Sequence, residues 1–161
     1  MGRREEIGQM RRSYGDAGLS EADLAKDPVE QLHRWLAEAA ANEFIVEANA
    51  MVLSTYADSV PTTRSVLLKD LTQAGLTFFT NYNSRKANAI AQNPNVSILF
   101  PWYAMERQVS IMGRAEKVSA ENSDAYFASR PWGSQIGAWA SSQSDQLTSR
   151  EELEKRYQEF S

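Results

Sequence analysis

Five strand-like stretches follow one another closely in residues 50–118: 50–56, 62–69, 76–80, 96–102 and 106–118. Each is rich in branched or aromatic residues or alternates in polarity, as half-buried strands do. The links between them are short, apart from one helical stretch at 84–92. Neighbouring strands joined this way run antiparallel, and a sheet of this kind removes its edges by curling into a closed or split barrel. The expected fold is therefore mainly β with flanking helices, in a single domain over 1–161. Within it, 1–26 would be an N-terminal arm, 27–42 a helix, 50–118 the barrel strands and 119–161 a helical C-terminal part.

The helices are marked by their caps. Asp27-Pro28-Val29-Glu30 places an acidic N-cap before a proline at the first helical position and an acid at the third. Leu32, Trp35, Leu36 and Ala39 then recur at helical spacing, and His33 sits beside that stripe. Ser84 caps a helix that Asn93-Pro94 stops. Ser119 caps another, ended by Arg130-Pro131, and Ser149 with Glu152 forms a capping box for the last. Gln73-Ala74-Gly75 marks a turn, and Gly113 a candidate bulge. The uncharged run 131–144 is rich in Gly, Ser and Trp and reads as a packed loop and short helix, with Trp132 and Trp139 as core residues.

Charge is unevenly spread. The chain carries a net charge of −4, yet in residues 59–105 the only acid is Asp70, against Arg64, Lys69, Arg85 and Lys86. Arg85 and Lys86 occupy the first turn of the helix capped by Ser84, where the backbone dipole favours acids. Bases set against the dipole, among free N–H groups, suit a bound phosphate. An acidic chain with one basic centre fits a small anionic ligand and not nucleic acid, which calls for a broad basic surface. No apolar run is long enough to span a bilayer, so no membrane partner is expected. Zero cysteines exclude disulfides and thiolate metal sites and accord with the cytoplasm, while the single histidine, His33, leaves no basis for a histidine metal site or a Ser-His-Asp triad. No nucleophile elbow, Walker loop or dinucleotide-binding glycine motif is present. Chemistry without such groups points to a cofactor held by its phosphate.

Several short motifs then coincide: RSVLLK at 64–69, FFTN at 78–81, SRK at 84–86, LFPW at 99–102, ERQV at 106–109, SRP at 129–131, and SQIGAW at 134–139 followed by S-x-Q-S at 141–144. In this order and spacing the sequence resembles the pyridoxamine 5′-phosphate oxidase family from about Arg11 onward. The resemblance implies an FMN-binding split β-barrel that works as a homodimer with FMN at the subunit interface. It implies oxidation of pyridoxamine or pyridoxine 5′-phosphate to pyridoxal 5′-phosphate, with oxygen taking the electrons and leaving as hydrogen peroxide. By motif match the cofactor residues would be Arg64, Ser65, Val66, Leu67, Leu68, Lys69, Phe79, Thr80, Ser84, Arg85, Lys86, Gln108, Gln143 and Ser144. The substrate would be held by Arg11, Tyr14, Lys69, Tyr126, Arg130 and Ser134, with Lys69 also the candidate for electrostatic help to catalysis. The family continues into a C-terminal segment with a Trp and an R-x-H-x-R motif. No Trp follows Trp139 and no His follows His33, so the sequence is expected to lack that segment while keeping the FMN phosphate site. Two other readings share these residues: a related split-barrel FMN oxidase acting on a phenazine-type substrate, and a non-catalytic FMN- or pyridoxal-phosphate-binding protein.

Overall fold

A tight hairpin begins the sheet. Strands β1 (Ala50–Ala57) and β2 (Val60–Leu67) pair antiparallel from Ala57–Val60 at the turn to Ala50–Leu67 at the far end. Asp58 and Ser59 form the two-residue connection, both with positive φ (52° and 61°), which matches the right-handed twist of the strands. The computed structural model describes residues 7–10, 13, 15 and 18–161. Short strands β3 (Asp70–Thr72) and β4 (Gly75–Thr77) form a separate two-stranded ribbon around the expected turn. Strands β5 (Asn95–Trp102) and β6 (Arg107–Arg114) complete a four-stranded sheet in the order β2-β1-β5-β6. The sheet is antiparallel in its β1–β2 and β1–β5 pairs and is not closed into a barrel.

Helix α1 is Pro28–Ala41, α2 is Arg85–Gln92, α3 is Ala120–Ser129, α4 is Trp132–Ala140 and α5 is Arg150–Glu159. The caps read from the sequence are present. The Asp27 carboxylate accepts from the Val29 and Glu30 N–H groups, and the Ser84, Ser119 and Ser149 hydroxyls accept from Ala87, Asn122 and Glu152. The Glu152 carboxylate turns to Thr148 and Arg156 instead of returning to its own cap.

The chain divides into two compact units. One comprises the described residues up to Ala48 together with Pro101–Gln108. Its buried residues are Leu32, Ala39 and Trp102, and the Trp102 Nε1–H donates to Ala48 O at 2.9 Å. Arg107 lies 5.2 Å over the Trp35 ring and pairs with Glu38. The other unit comprises Asn49–Phe100 and Val109–Ser161. Its core holds Met51, Leu53, Leu68, Leu71, Ala89, Ile98, Phe100, Ile136 and Ala140. Helix α2 packs on β1, and α4 on α5.

Three expectations change. The stretch at 76–80 leaves strand geometry after Thr77, because the chain must enter the Asn81–Ser84 turn. There Ser84 N–H donates to Asn81 O at 3.0 Å and Asn83 N–H to the Asn81 side chain at 2.8 Å. The last strand spans Arg107–Arg114, because Glu106 takes a left-handed conformation (φ 54°) that ends the preceding turn. Trp132 and Trp139 are 67% and 66% exposed, not core. Helix α4 buries its other face through Ile136 and Ala140.

Candidate functional site

The first turn of α2 gathers the basic centre. Ser84 is fully buried, and its hydroxyl closes the helix start. Lys86, two residues on, folds back. Its Nζ donates to Thr80 Oγ1 at 3.0 Å and to Gln143 Oε1 at 2.9 Å, with Ser84 Oγ at 3.5 Å. Thr80 Oγ1 also donates to Gln143 Oε1 at 2.9 Å. Thr80, Ser84, Lys86 and Gln143 are therefore one connected cluster, built from the loop before α2 and the loop after α4. Ser144, next to Gln143, has φ 76°, a left-handed conformation that costs a non-glycine residue energy and that clusters at ligand sites.

Arg64 joins this cluster electrostatically. It pairs with Leu53 across the hairpin and so shares the face of β1 that buries Met51, Leu53 and Thr55. Its Nη1 donates to Leu53 O at 3.0 Å and Thr55 Oγ1 at 2.9 Å, and its Nη2 to Thr62 Oγ1 at 2.6 Å. Burial, and then the charge of Arg85, hold the Arg64 guanidinium below its ordinary value. Burial, and then the charge of Arg64, do the same to the Lys86 ammonium. Arg64 thus faces the like charges of Arg85 and Lys86 at one helix start. None of the ion pairs among the described residues involves them. An anion placed there relieves both the desolvation and the repulsion.

A second cluster surrounds Lys69. Tyr126 of α3 stacks on Phe79, with ring centroids 3.9 Å apart and planes 4° from parallel. Lys69 Nζ lies 6.0 Å from the Tyr126 centroid. Strand β2 ends at Leu67 and Lys69 lies beyond it, so strand alternation with Arg64 does not set the direction of Lys69. Arg130, the residue closing α3, sits with its guanidinium 5.7 Å from the Phe127 ring. Ser134 is exposed in the first turn of α4.

Of the remaining expected residues, Ser65 is exposed, Val66 and Leu67 half-buried and Leu68 buried. Gln108 belongs to the first unit, where it lines a cavity of about 240 Å³ with Trp35, Met105 and Arg107. Arg11 and Tyr14 lie outside the described residues. Sequence reasoning passed over Thr55 and Thr62, which hold the Arg64 guanidinium. It also passed over the role of Gln135, whose side-chain amide donates to Arg130 O at 2.8 Å and fixes the α3–α4 corner. Isolated Thr and Gln residues carry no motif, so only their partners reveal them. Among the described residues no group of three or more acids or histidines could hold a metal, and no helix is long and apolar enough to cross a membrane.

The donor set suits a phosphate ester: two guanidiniums, an ammonium and a capped helix start, with no carboxylate among their partners in the described residues. The family model described as pyridoxamine 5′-phosphate oxidase matches residues 37–161. The chain belongs to the pyridoxamine 5′-phosphate oxidase family. It is 51% identical over 156 residues to the pyridoxine/pyridoxamine 5′-phosphate oxidase of Prochlorococcus marinus (strain MIT 9303), covering 97% of this chain and 70% of that one. Among solved structures it is similar to PhzG of Burkholderia lata 383 in complex with tetrahydrophenazine-1-carboxylic acid. That match has a TM-score of 0.83 at 28% identity and covers 90% of this chain and 72% of the other. A pyridoxamine 5′-phosphate oxidase-related, FMN binding protein from Nostoc punctiforme PCC 73102 shares the fold, with a TM-score of 0.61 at 17% identity, covering 81% and 73%. The open sheet with its flanking helices is therefore of the split-barrel class. By membership the chain is an oxidoreductase of the flavoprotein type whose cofactor is FMN.

Proposed function

We propose that the chain oxidises pyridoxine 5′-phosphate or pyridoxamine 5′-phosphate to pyridoxal 5′-phosphate. With the alcohol, two electrons and two protons pass to oxygen, giving the aldehyde and hydrogen peroxide. With the amine, water is also consumed and ammonia released. The observation that carries this reading is that one unit holds two distinct clusters suited to phosphates, the cation triad at α2 and the basic-aromatic group around Lys69. A cofactor phosphate and a substrate phosphate need one each.

Arg85 and Lys86 would grip the cofactor phosphate at the start of α2, with Ser84, Thr80 and Gln143 orienting Lys86. Residues 64–68 would lie along the flavin, and Ser144 would complete its surroundings. FMN, when bound, supplies hydride acceptance and return of the electrons to oxygen. Lys69, Tyr126, Arg130 and Ser134 would hold the substrate phosphate, so that binding energy remote from the reacting carbon aligns it. The Lys69 ammonium would also favour negative charge developing nearby. The reading includes a cytoplasmic homodimer with FMN at the subunit interface.

The test is an aerobic assay of the chain with FMN and pyridoxine 5′-phosphate, following pyridoxal 5′-phosphate and peroxide together. Turnover that falls at least tenfold in Lys69→Ala and Arg130→Ala supports the reading. FMN retained without turnover would make the chain a binding protein. The likeness to PhzG favours one second reading, an oxidase of phenazine-type rings. Turnover of a reduced phenazine carboxylate, unaffected by Lys69→Ala, would select it.

A further inference from the structure

The hairpin that carries Arg64 also sets the exit of the chain toward Lys69. Counting in twos from Ala57–Val60, the pair closing the turn, the hydrogen-bonded positions are Thr55–Thr62, Leu53–Arg64 and Met51–Val66. One step beyond both strands comes Asn49–Leu68. Half of that pair is ordinary: Leu68 N–H donates to Asn49 O at 2.9 Å. The other half is made by a side chain, because the Asn49 Nδ2 amide donates to Leu68 O at 2.9 Å. The next amide, Lys69 N–H, donates to Thr77 O of β4 at 2.8 Å. The peptide between Leu68 and Lys69 is thus held at both polar ends, its carbonyl by Asn49 and its N–H by Thr77. The Leu68 side chain is buried, so this peptide cannot rotate freely. It is the hinge from which the exposed Lys69 side chain reaches the Tyr126 ring.

We propose that Asn49 is a positioning residue for Lys69. It rests on the reading of Lys69 as a cation of the substrate-phosphate site. Asn49 itself touches no ligand in this account. Its amide fixes the plane of the Leu68–Lys69 peptide, and that plane sets where a four-carbon side chain delivers its charge. Removing the amide leaves the Leu68 carbonyl without this donor while the Lys69 N–H stays tied to Thr77, so the peptide can tilt. An ammonium displaced from a phosphate loses its charge-assisted hydrogen bond, whose strength falls steeply with distance and angle, whereas the bond from Leu68 N–H to Asn49 O is made by backbone and does not use the side chain at position 49.

The experiment uses the FMN-loaded chain and 4-deoxypyridoxine 5′-phosphate, an analogue with no oxidisable 4′ group, binding being measured by calorimetry. Asn49→Ala should weaken the analogue about fivefold to tenfold, the loss expected for one hydrogen bond that holds a charged group. In a Lys69→Ala background the same substitution should add less than about twofold, because a positioning residue has nothing left to position. Amide exchange at Lys69 should quicken in Asn49→Ala while exchange at Leu53 in the core stays unchanged. Asn49→Ser, polar but too short to reach the carbonyl, repeats the test if the alanine variant does not fold. Full additivity of the two substitutions, or unchanged analogue affinity in Asn49→Ala beside a tenfold loss in Lys69→Ala, overturns the proposal. Lys69→Ala that leaves the analogue unaffected overturns the substrate-site reading, and the role of Asn49 with it. Unchanged exchange at Lys69 refutes the clamp alone.

Discussion

Lys86 faces opposite demands with and without a phosphate. Its folded-state pKa lies below the ordinary lysine value, first from burial and then from Arg64. Between that lowered value and the ordinary one, the unfolded chain binds more protons than the folded chain. Stability of the cofactor-free protein should therefore gain from Lys86 as pH rises through this interval. A bound phosphate favours the protonated amine, so FMN affinity should fall as pH rises through the same interval. Lys86→Arg keeps the charge at every accessible pH and should flatten that alkaline loss. Parallel titrations of FMN affinity and of melting temperature check both trends, and trends of the same sign would remove Lys86 from the phosphate site. Lys86→Ala should weaken FMN by roughly tenfold to a hundredfold, the range for a hydrogen bond to a charged group. Flavin fluorescence on titration measures it.

At the scale of elements, α2 depends on its cap. Ser84 is fully buried and closes the helix start, so Ser84→Ala should cost about 1 kcal/mol of stability. It should also weaken FMN, because Lys86 and Thr80 lose a shared neighbour. Thermal unfolding with and without FMN separates the two losses, and a shift in the first alone would make Ser84 purely a cap. The β1–β2 turn is a second case. Asp58 and Ser59 both hold positive φ, so Asp58→Asn with Ser59→Gly should stabilise the hairpin by about 0.5–1 kcal/mol, read as a higher melting temperature. These two elements also show what the sequence made legible. Ser84, Asp27 and Asn93-Pro94 mark helix ends by local chemistry, and the structure places α1 and α2 where those signals put them. The apolar residues at 76–80 fit a strand throughout, but the side-chain turn at Asn81 that ends it is fixed by contacts within the loop, which local sequence does not show. The Arg64–Arg85–Lys86 cluster was visible as a local excess of bases. That Thr55 and Thr62 would hold Arg64 was not, since neither has a motif of its own, and the S-x-Q-S motif marked Gln143 without showing that it holds Lys86.

The whole molecule leaves much apolar surface uncovered in the unit that carries both clusters. Trp132 and Trp139 project from α4, Phe160 is 47% exposed, and Met112 on the edge strand β6 is 86% exposed. Single exposed apolar residues are ordinary, but large aromatic side chains gathered on adjoining helices are characteristic of association surfaces. Strands β2 and β6 also present unpaired sheet edges, which proteins commonly cover. The homodimer of the proposed function would cover such surface, so sedimentation at micromolar concentration should give twice the chain mass of 18.1 kDa. Trp139 is 66% exposed and meets Phe127 edge-on and Phe160 at a tilt. Trp139→Glu should therefore lower the mass toward one chain while costing less than about 1 kcal/mol in stability of the isolated fold, as substitutions of exposed residues usually do. If FMN sits where two chains meet, the same variant should lose FMN affinity in step with the loss of dimer, and raising the protein concentration should restore both. A stable dimer that keeps its FMN despite Trp139→Glu would move the interface away from α4. A monomer that binds FMN at full strength would show that the triad at α2 needs no second chain.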